Sequence, residues 1–370
     1  MFSVLCVWSH PDHPTSSQAM RKARFVSDDF LDNDRYETKC NGIQPQKDRN
    51  SRRLAAMPTS KQNQIRAGRH SAAERYKRDL DQILERQHGF IGDYDEEVVI
   101  FSDPASYRLQ SEMTSGPYYV DGELVKSNIT GGQEGIPLFL DIQFIDTNTC
   151  QPIEGIYIDI WHCNATGVYS GVKSMDNGNF GDEDNINTSF LRGIQPTDAN
   201  GAVQFSTVFP GHYTGMSHDR NRDNGWGLLL KRFVTIGRAT HIHLLAHHMQ
   251  SINLYDNNTL ADSDHLKHGA QASHVGQLFF DALLIEQVES HYPYASNTQP
   301  SILNKEDAVI LAEAGTSDPI VQYMLIGDKL EDGIFAWITI GIDPDVSHYV
   351  ESAATWYGSF GRQWKKLWWR

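Results

Sequence analysis

The stretch "PLFLDIQFID", residues 137–146, places Leu138, Leu140, Ile142 and Phe144 at every second position. Side chains of a strand alternate between two faces, so a period of two marks a strand with one apolar face. It excludes a helix, whose apolar positions recur every three to four residues. The same period returns in "GIYIDIWH" at Ile156, Ile158 and Ile160, and short β-branched and aromatic runs follow in "AVQFSTVF", "THIHLLAH", "GQLFFDAL" and "FAWITIGID". Turn signals such as Asn200-Gly201 separate them. Helical runs do not recur at the spacing that a parallel βαβ sheet requires. The expected fold is therefore mainly β: an antiparallel β-sandwich with long loops, preceded by a short N-terminal helical segment.

That helical segment is read from "SAAERYKRDLDQILERQ", where Tyr76, Leu80, Ile83 and Leu84 form one apolar stripe behind Ser71 as N-cap. It predicts a helix over 71–87, with a surface on which a homodimer could form. Residues 1–70 show no sustained period and read as a loosely ordered extension. Residues 71–95 read as helix and linker, 96–345 as the sandwich, and 346–370 as a surface tail. "NKEDAVILAEAG" reads as a short helix between the last strands.

The net charge is −15, and residues 1–70 carry 12 Lys and Arg against 7 Asp and Glu, so the remainder is more acidic still. Such a surface repels nucleic acid and anionic lipid, and neither is expected as a partner. No apolar run reaches the roughly 18 residues of a membrane span. Four glycosylation triplets, at Asn128, Asn164, Asn187 and Asn257, suit a secreted chain, whereas "MFSVLCVWSH" lacks the basic start of a secretory signal and suits a cytoplasmic one. Asn164 falls too near the expected pocket for a glycan. Cys150 and Cys163 flank a predicted strand too long to bridge, so both read as free or buried thiols; Cys6 and Cys40 are uninformative.

His241-Ile242-His243 is the sharpest chemical feature. On a strand, positions i and i+2 share a face about 6.5–7 Å apart, so two imidazoles can reach one ion while Ile242 enters the core. Tyr169 in "CNATGVYSGV" and Tyr213 in "FPGHYTG" lie in strand-end loops, and Arg238 precedes the first histidine by three residues. Together these residues look like a single site.

The blocks "GPYYVDGEL", "DIWHCNATGVYSG", "FLRGIQPTDANGAVQFSTVFPGHYTG", "RATHIH", "ASHVGQLFFD" and "LEDGIFAWITIGID" resemble, in order, those of intradiol ring-cleavage dioxygenases, and more closely the fungal, often extracellular branch. The resemblance runs from about Gly116 to Asp343. It implies Fe(3+) as cofactor, bound by Tyr169, Tyr213, His241 and His243. It implies a catechol-type diol and O2 as substrates and a cis,cis-muconate-type diacid as product. Tyr213 would leave the metal to act as a base, Arg238 would stabilise the anionic diol, and Gln277 would hydrogen-bond near the oxygen site. His212, His247, His248 and His274 match no ligand of the family and read as supporting or surface residues. Trp161 and His162 read as packing. Two other functions compete: a sandwich that binds saccharide without iron, and a zinc hydrolase, for which no carboxylate ligand pattern accompanies the histidines.

In the family the Tyr213 block runs almost directly into "RATHIH". Here 22 residues, Met216 to Gly237, intervene. That exceeds the roughly 12–15 residues usual for a structureless loop. One reading is a lid at the pocket mouth, or a loop that pulls Tyr213 out of register. The other is a retained intron: three bases for each of the 22 residues make 66, and codons for Gly215-Met216-Ser217 and Ile236-Gly237 exist that supply splice donor and acceptor sites.

Overall fold

The computed structural model describes Arg52, Arg53, Ala55, Met57, Ile83, Leu84, residues 87–89, Gly116, residues 118–173, Asn177, and residues 182–219, 232–247, 252–255, 259–262, 269–314, 317–356 and 362–364. In chain order the strands are β1 (Val120–Asp121), β2 (Pro137–Asp146), β3 (Tyr157–Trp161), β4 (Arg192–Pro196), β5 (Ala202–Val208), β6 (Tyr213–Asp219), β7 (Arg232–Arg238) and β8 (His241–His247). Then come β9 (Ile252–Tyr255), β10 (Thr259–Asp262), β11 (Gly269–Phe279), β12 (Gln322–Leu325), β13 (Ile334–Ile342), β14 (His348–Glu351), β15 (Ala354–Trp356) and β16 (Arg362–Trp364). Two α-helices, α1 (Ala282–Glu289) and α2 (Ala308–Ala314), lie between β11 and β12.

The sandwich consists of a four-stranded sheet, β12-β13-β2-β5, against a five-stranded sheet, β14-β11-β8-β3-β4. Its core follows the period of two. Leu138, Leu140, Ile142 and Phe144 from one sheet and Ile158, Ile160, Ile242, Leu244, Ala246 and Leu278 from the other share one buried cluster. Each fully buried aliphatic side chain contributes about 1.5–3 kcal/mol. Gly201, at φ +70°, makes the β4–β5 turn, where a Cβ would meet the Phe144 carbonyl oxygen.

Several expectations are corrected. The sandwich is not wholly antiparallel, because β13 pairs parallel to β2, Ile334 opposite Leu138. Residues 348–351, expected in a surface tail, form β14 and pair with β11 at the sheet edge. "GQLFFDAL" is the end of a strand and the start of a helix, because Asp281 accepts a bond from Leu284 N and caps α1. Cys150 is disulfide-bonded, to a partner outside the described residues, whereas Cys163 is the free buried thiol that was expected.

Of the expected extension of residues 1–70, Arg53 and Met57 are buried, Arg52 is half-buried and Ala55 is exposed. Arg52 and Arg53 are helical and reach Asp141 on the outer face of β2, Arg52 Nη1 at 2.6 Å and Arg53 Nε at 3.2 Å. Of the helix predicted over 71–87, Ile83 and Leu84 are helical and buried, Gln87 is not helical, and the rest lies outside the described residues. No helix among the described residues is long and apolar enough to cross a membrane.

Candidate functional site

In β8 the alternation sends Ile242, Leu244 and Ala246 into the sandwich core, so His241 and His243 face the other way. That face is covered rather than open: Tyr118, Tyr119, Trp161, Cys163, Tyr169 and Tyr213 pack there in a second buried cluster. Register adds two neighbours, for His243 stands opposite Trp161 of β3 and Gln277 of β11. The Trp161 ring stacks on His243, centroids 5.0 Å apart and 3° from parallel. The packing role expected of Trp161 thus has a definite object, the orientation of one imidazole. On the other side a Cβ at Gly116, whose φ is +68°, would come within 2.9 Å of His243 Cε1.

Two loops bring the phenols in. Asn177 Oδ1 accepts Tyr169 N at 2.7 Å, and Asn177 and Asn185 amides donate to the Tyr169 carbonyl at 2.8 and 2.9 Å. The Tyr213 loop is tied to the Tyr169 loop by Cys163 Sγ, which donates to Gly211 O. Gln299 bridges the same two loops, accepting from Thr214 N at 3.0 Å and donating to Thr166 O at 2.7 Å. As a result the ring centroids of Tyr169 and Tyr213 lie 5.0 Å apart, Tyr213 and His241 5.5 Å, and Tyr169 and His243 5.9 Å.

Met216 to Gly237 does not break this arrangement. The segment is strand on both limbs, β6 paired with β7, and Tyr213 lies directly opposite Arg238 in that pairing. The alternative in which the segment pulls Tyr213 out of register is not seen. Tyr213 and Arg238 face each other at one end of the β6–β7 pairing, so residues beyond that pair need not move them.

Arg238 is buried and held at two nitrogens: Nε donates to Asp307 Oδ2 and Nη2 to Gln277 Oε1, each at 2.8 Å. Burial opposes both charges of the Arg238–Asp307 pair, yet each keeps the other ionised, and Asp307 is held below the usual carboxylate range. Asp307 was missed in the sequence. Its only local signal is that of a helix cap before α2, since its Oδ1 accepts Val309 N at 2.8 Å.

The histidines are neutral. Burial, then the Arg238 charge, lowers His241 to about 3, and burial with His241 beside it takes His243 well below the ordinary value. Their Nε2 atoms face each other at 3.0 Å. His241 Nδ1 donates to Ala239 O at 2.6 Å, so its Nε2 carries a lone pair. If His243 donates its Nε2 proton across that gap, its Nδ1 remains a buried acceptor without a partner, and Nδ1 has none in either tautomer. The buried Tyr169 hydroxyl also lacks a hydrogen bond. Burial, then Tyr213, raises the Tyr169 phenol well above its usual value; burial raises Tyr213 against the pull of Arg238.

Unsatisfied buried polar atoms cost about 1–3 kcal/mol each, and those of the site include His243 Nδ1 and the Tyr169 hydroxyl. The donor set of two imidazoles and two phenols fits a hard trivalent cation, which would satisfy the lone pairs and supply the charge that two adjacent phenolates need. Among the described residues no group of three or more His, Cys, Asp or Glu is placed to hold a metal.

The other histidines named from the sequence are placed as follows. His212 Nδ1 lies 2.7 Å from Glu289, His247 Nε2 lies 3.6 Å from Asp159, and His274 is buried in β11. His162 bonds Thr207 Oγ1 and Cys163 O, while His248 lies outside the described residues. Asn164 Oδ1 accepts from Thr166 N and Val168 N, and its amide donates to Gln133 Oε1 at 3.0 Å.

Residues 114–270 match the Dioxygenase family model, Dioxygenase_C. That stretch carries a dioxygenase-like domain. The homology is distant. Among solved structures the chain is similar to an intradiol ring-cleavage dioxygenase from Tetranychus urticae at 28% identity, covering 64% of this chain and 96% of that one, with a TM-score of 0.46. It is also similar to a catechol 1,2-dioxygenase from Acinetobacter radioresistens (18%, 66% and 63%, 0.36) and a chlorocatechol 1,2-dioxygenase from Pseudomonas putida (18%, 64% and 72%, 0.35). No curated protein matches the chain. The dioxygenase-like domain matched by the family model contains Tyr169, Tyr213, Arg238, His241 and His243, while Gln277 and Asp307 fall beyond it.

Proposed function

We propose that the protein is a non-haem Fe(III)-dependent dioxygenase that cleaves a catechol-type ring with O2 between the two hydroxyl-bearing carbons, giving a cis,cis-muconate-type diacid. The observation that carries the reading is the convergence of His241 Nε2 and His243 Nε2 at 3.0 Å beside two buried phenols, one with no hydrogen bond. Tyr169, Tyr213, His241 and His243 would hold the ion. When bound, Fe(III) withdraws electron density from the diol ring and opens it to attack by dioxygen.

The chain's own groups supply the rest. Burial holds His241 and His243 neutral, so a shift of the single His243 ring proton to Nδ1 is enough to leave both Nε2 lone pairs for the metal. Tyr213, in a strand-end position beside Arg238, is the base for a proton of the incoming diol. Arg238 presents a permanent positive charge in a dry site, where it stabilises the anionic form of the ring most strongly in the transition state. Gln277 fixes one edge of that guanidinium. The disulfide at Cys150 supports an extracellular setting, as in the secreted branch that the sequence resembles.

The test is purification, iron analysis and a visible spectrum, followed by oxygen uptake on a panel of catechols. A tyrosinate-to-Fe(III) absorption band and muconate formation are expected. A colourless protein that takes up no iron on reconstitution would leave the binding-module reading in its place. An extradiol product would overturn the cleavage position.

A further inference from the structure

We propose that Asp307 is a positioning residue that aims Arg238 at the phenols, an inference that rests on the dioxygenase reading above. Three N–H groups converge on this one carboxylate. Oδ2 accepts both Arg238 Nε at 2.8 Å and Ala239 N at 2.9 Å, and Oδ1 accepts Val309 N at 2.8 Å. One oxygen therefore grips the arginine's side chain together with the backbone that follows it. With Nη2 held by Gln277, the guanidinium plane is fixed at two points, and its charge acts on both Tyr169 and Tyr213.

The carboxylate is itself rigidly placed. Asp307 sits at the start of α2, whose Val309, Ile310, Leu311 and Ala314 share a buried cluster with Ala239, which follows Arg238 in the β7–β8 link, and with Phe279, two residues beyond Gln277 in β11. The helix and the ligand-bearing sheet thus move as one body. An amide cannot replace the acid, because three donors already occupy both oxygens. An Asn side chain must turn its NH2 toward either Arg238 or Val309, donor against donor. A cap alone needs no such arrangement: Asp281 caps α1 through Leu284 N without contacting any arginine in the site.

Freed from Asp307, Arg238 can swing by an ångström or more, and a misplacement of that size costs about 10²-fold in rate. The experiment uses the full chain, loaded with Fe(III), with catechol as probe. D307A is expected to lower kcat about 100-fold, as for a misplaced catalytic group, with KM changed about threefold or less. The double variant R238A/D307A should be no slower than R238A, because Asp307 acts only through Arg238.

D281A, which removes a comparable cap, should cost stability and leave kcat unchanged. In the iron-free protein, the Arg238 Nε–H resonance, assigned by its absence from R238K, should be protected from exchange in wild type and lose that protection in D307A. D307S, which keeps a cap for α2 and removes the oxygen to which Arg238 Nε donates, serves if D307A does not fold.

Wild-type kcat in D307A, or effects of the two substitutions that multiply, overturns the proposal. Failure of the wild type to take up iron sinks the dioxygenase reading and the catalytic half of this one. The exchange measurement still decides whether Asp307 holds Arg238.

Discussion

Tyr169→Phe removes a single oxygen, one that is buried and makes no hydrogen bond. The ring should stay where it is. Asn177 and Asn185 hold the backbone of residue 169 through three bonds that do not involve the hydroxyl, and Tyr118 packs on the ring at 4.6 Å. Burying a hydroxyl without a partner costs about 1–3 kcal/mol, so the iron-free variant should be more stable than wild type by about 1–2 kcal/mol. For a domain of this size that corresponds to a rise of about 2–4 °C in Tm per kcal/mol. The same change removes one of the two phenolate donors, so the Fe(III)-loaded form should lose most of the stabilisation that iron gives and a large part of its visible band. Urea unfolding of both proteins, with and without Fe(III), measures the two effects together. A Tyr169→Phe protein that is less stable than wild type without iron, or that is stabilised by iron as much as wild type is, would refute the reasoning.

Other consequences follow from the same geometry. Loading iron should release protons, because burial keeps both phenols protonated in the free site and the metal binds their anions; apparent affinity therefore rises with pH, checked by calorimetry in buffers of different ionisation enthalpy. Arg53→Ala should cost about 3 kcal/mol by leaving a buried carboxylate with one partner fewer. Asp141 is held below its ordinary 3.8, so that contribution is complete above this pH and fades as pH falls through the depressed value. Urea titrations at pH 7 and pH 2.5 should show the gap between wild type and variant narrowing in acid. Deleting Met216 to Gly237 should leave iron uptake and turnover within about threefold, because Thr214 and Gly215 then form a two-residue turn between the paired Tyr213 and Arg238. Loss of iron from that variant would show that the inserted strands hold Tyr213 in place.

The strands of the sandwich were legible because each carries its own period: Leu138 to Phe144 points to one face whatever lies beside it. Which strand lies beside it is a different matter. Nothing in "FAWITIGID" distinguishes a parallel partner from an antiparallel one, and β13 took the parallel place against β2. The histidines and tyrosines were readable as donor types, and their motifs recur in order. Asp307 was not, since it meets Arg238 from 69 positions away and looks locally like an ordinary cap. The clasp of Arg52 and Arg53 on Asp141 spans a similar distance and joins a basic stretch without period to a polar site on the outer face of a strand. Such long-range pairs leave no trace in local pattern, because each partner's residue type suits solvent equally well.

The pairing of Tyr213 with Arg238 also bears on the gene. If the 66 bases behind Met216 to Gly237 can be read through or removed, both messages encode the same base and differ in how far the ribbon extends beyond it. Reading frame and strand register are conserved together. A cell choosing between the two transcripts would be changing the rim of the pocket while inheriting its chemistry intact.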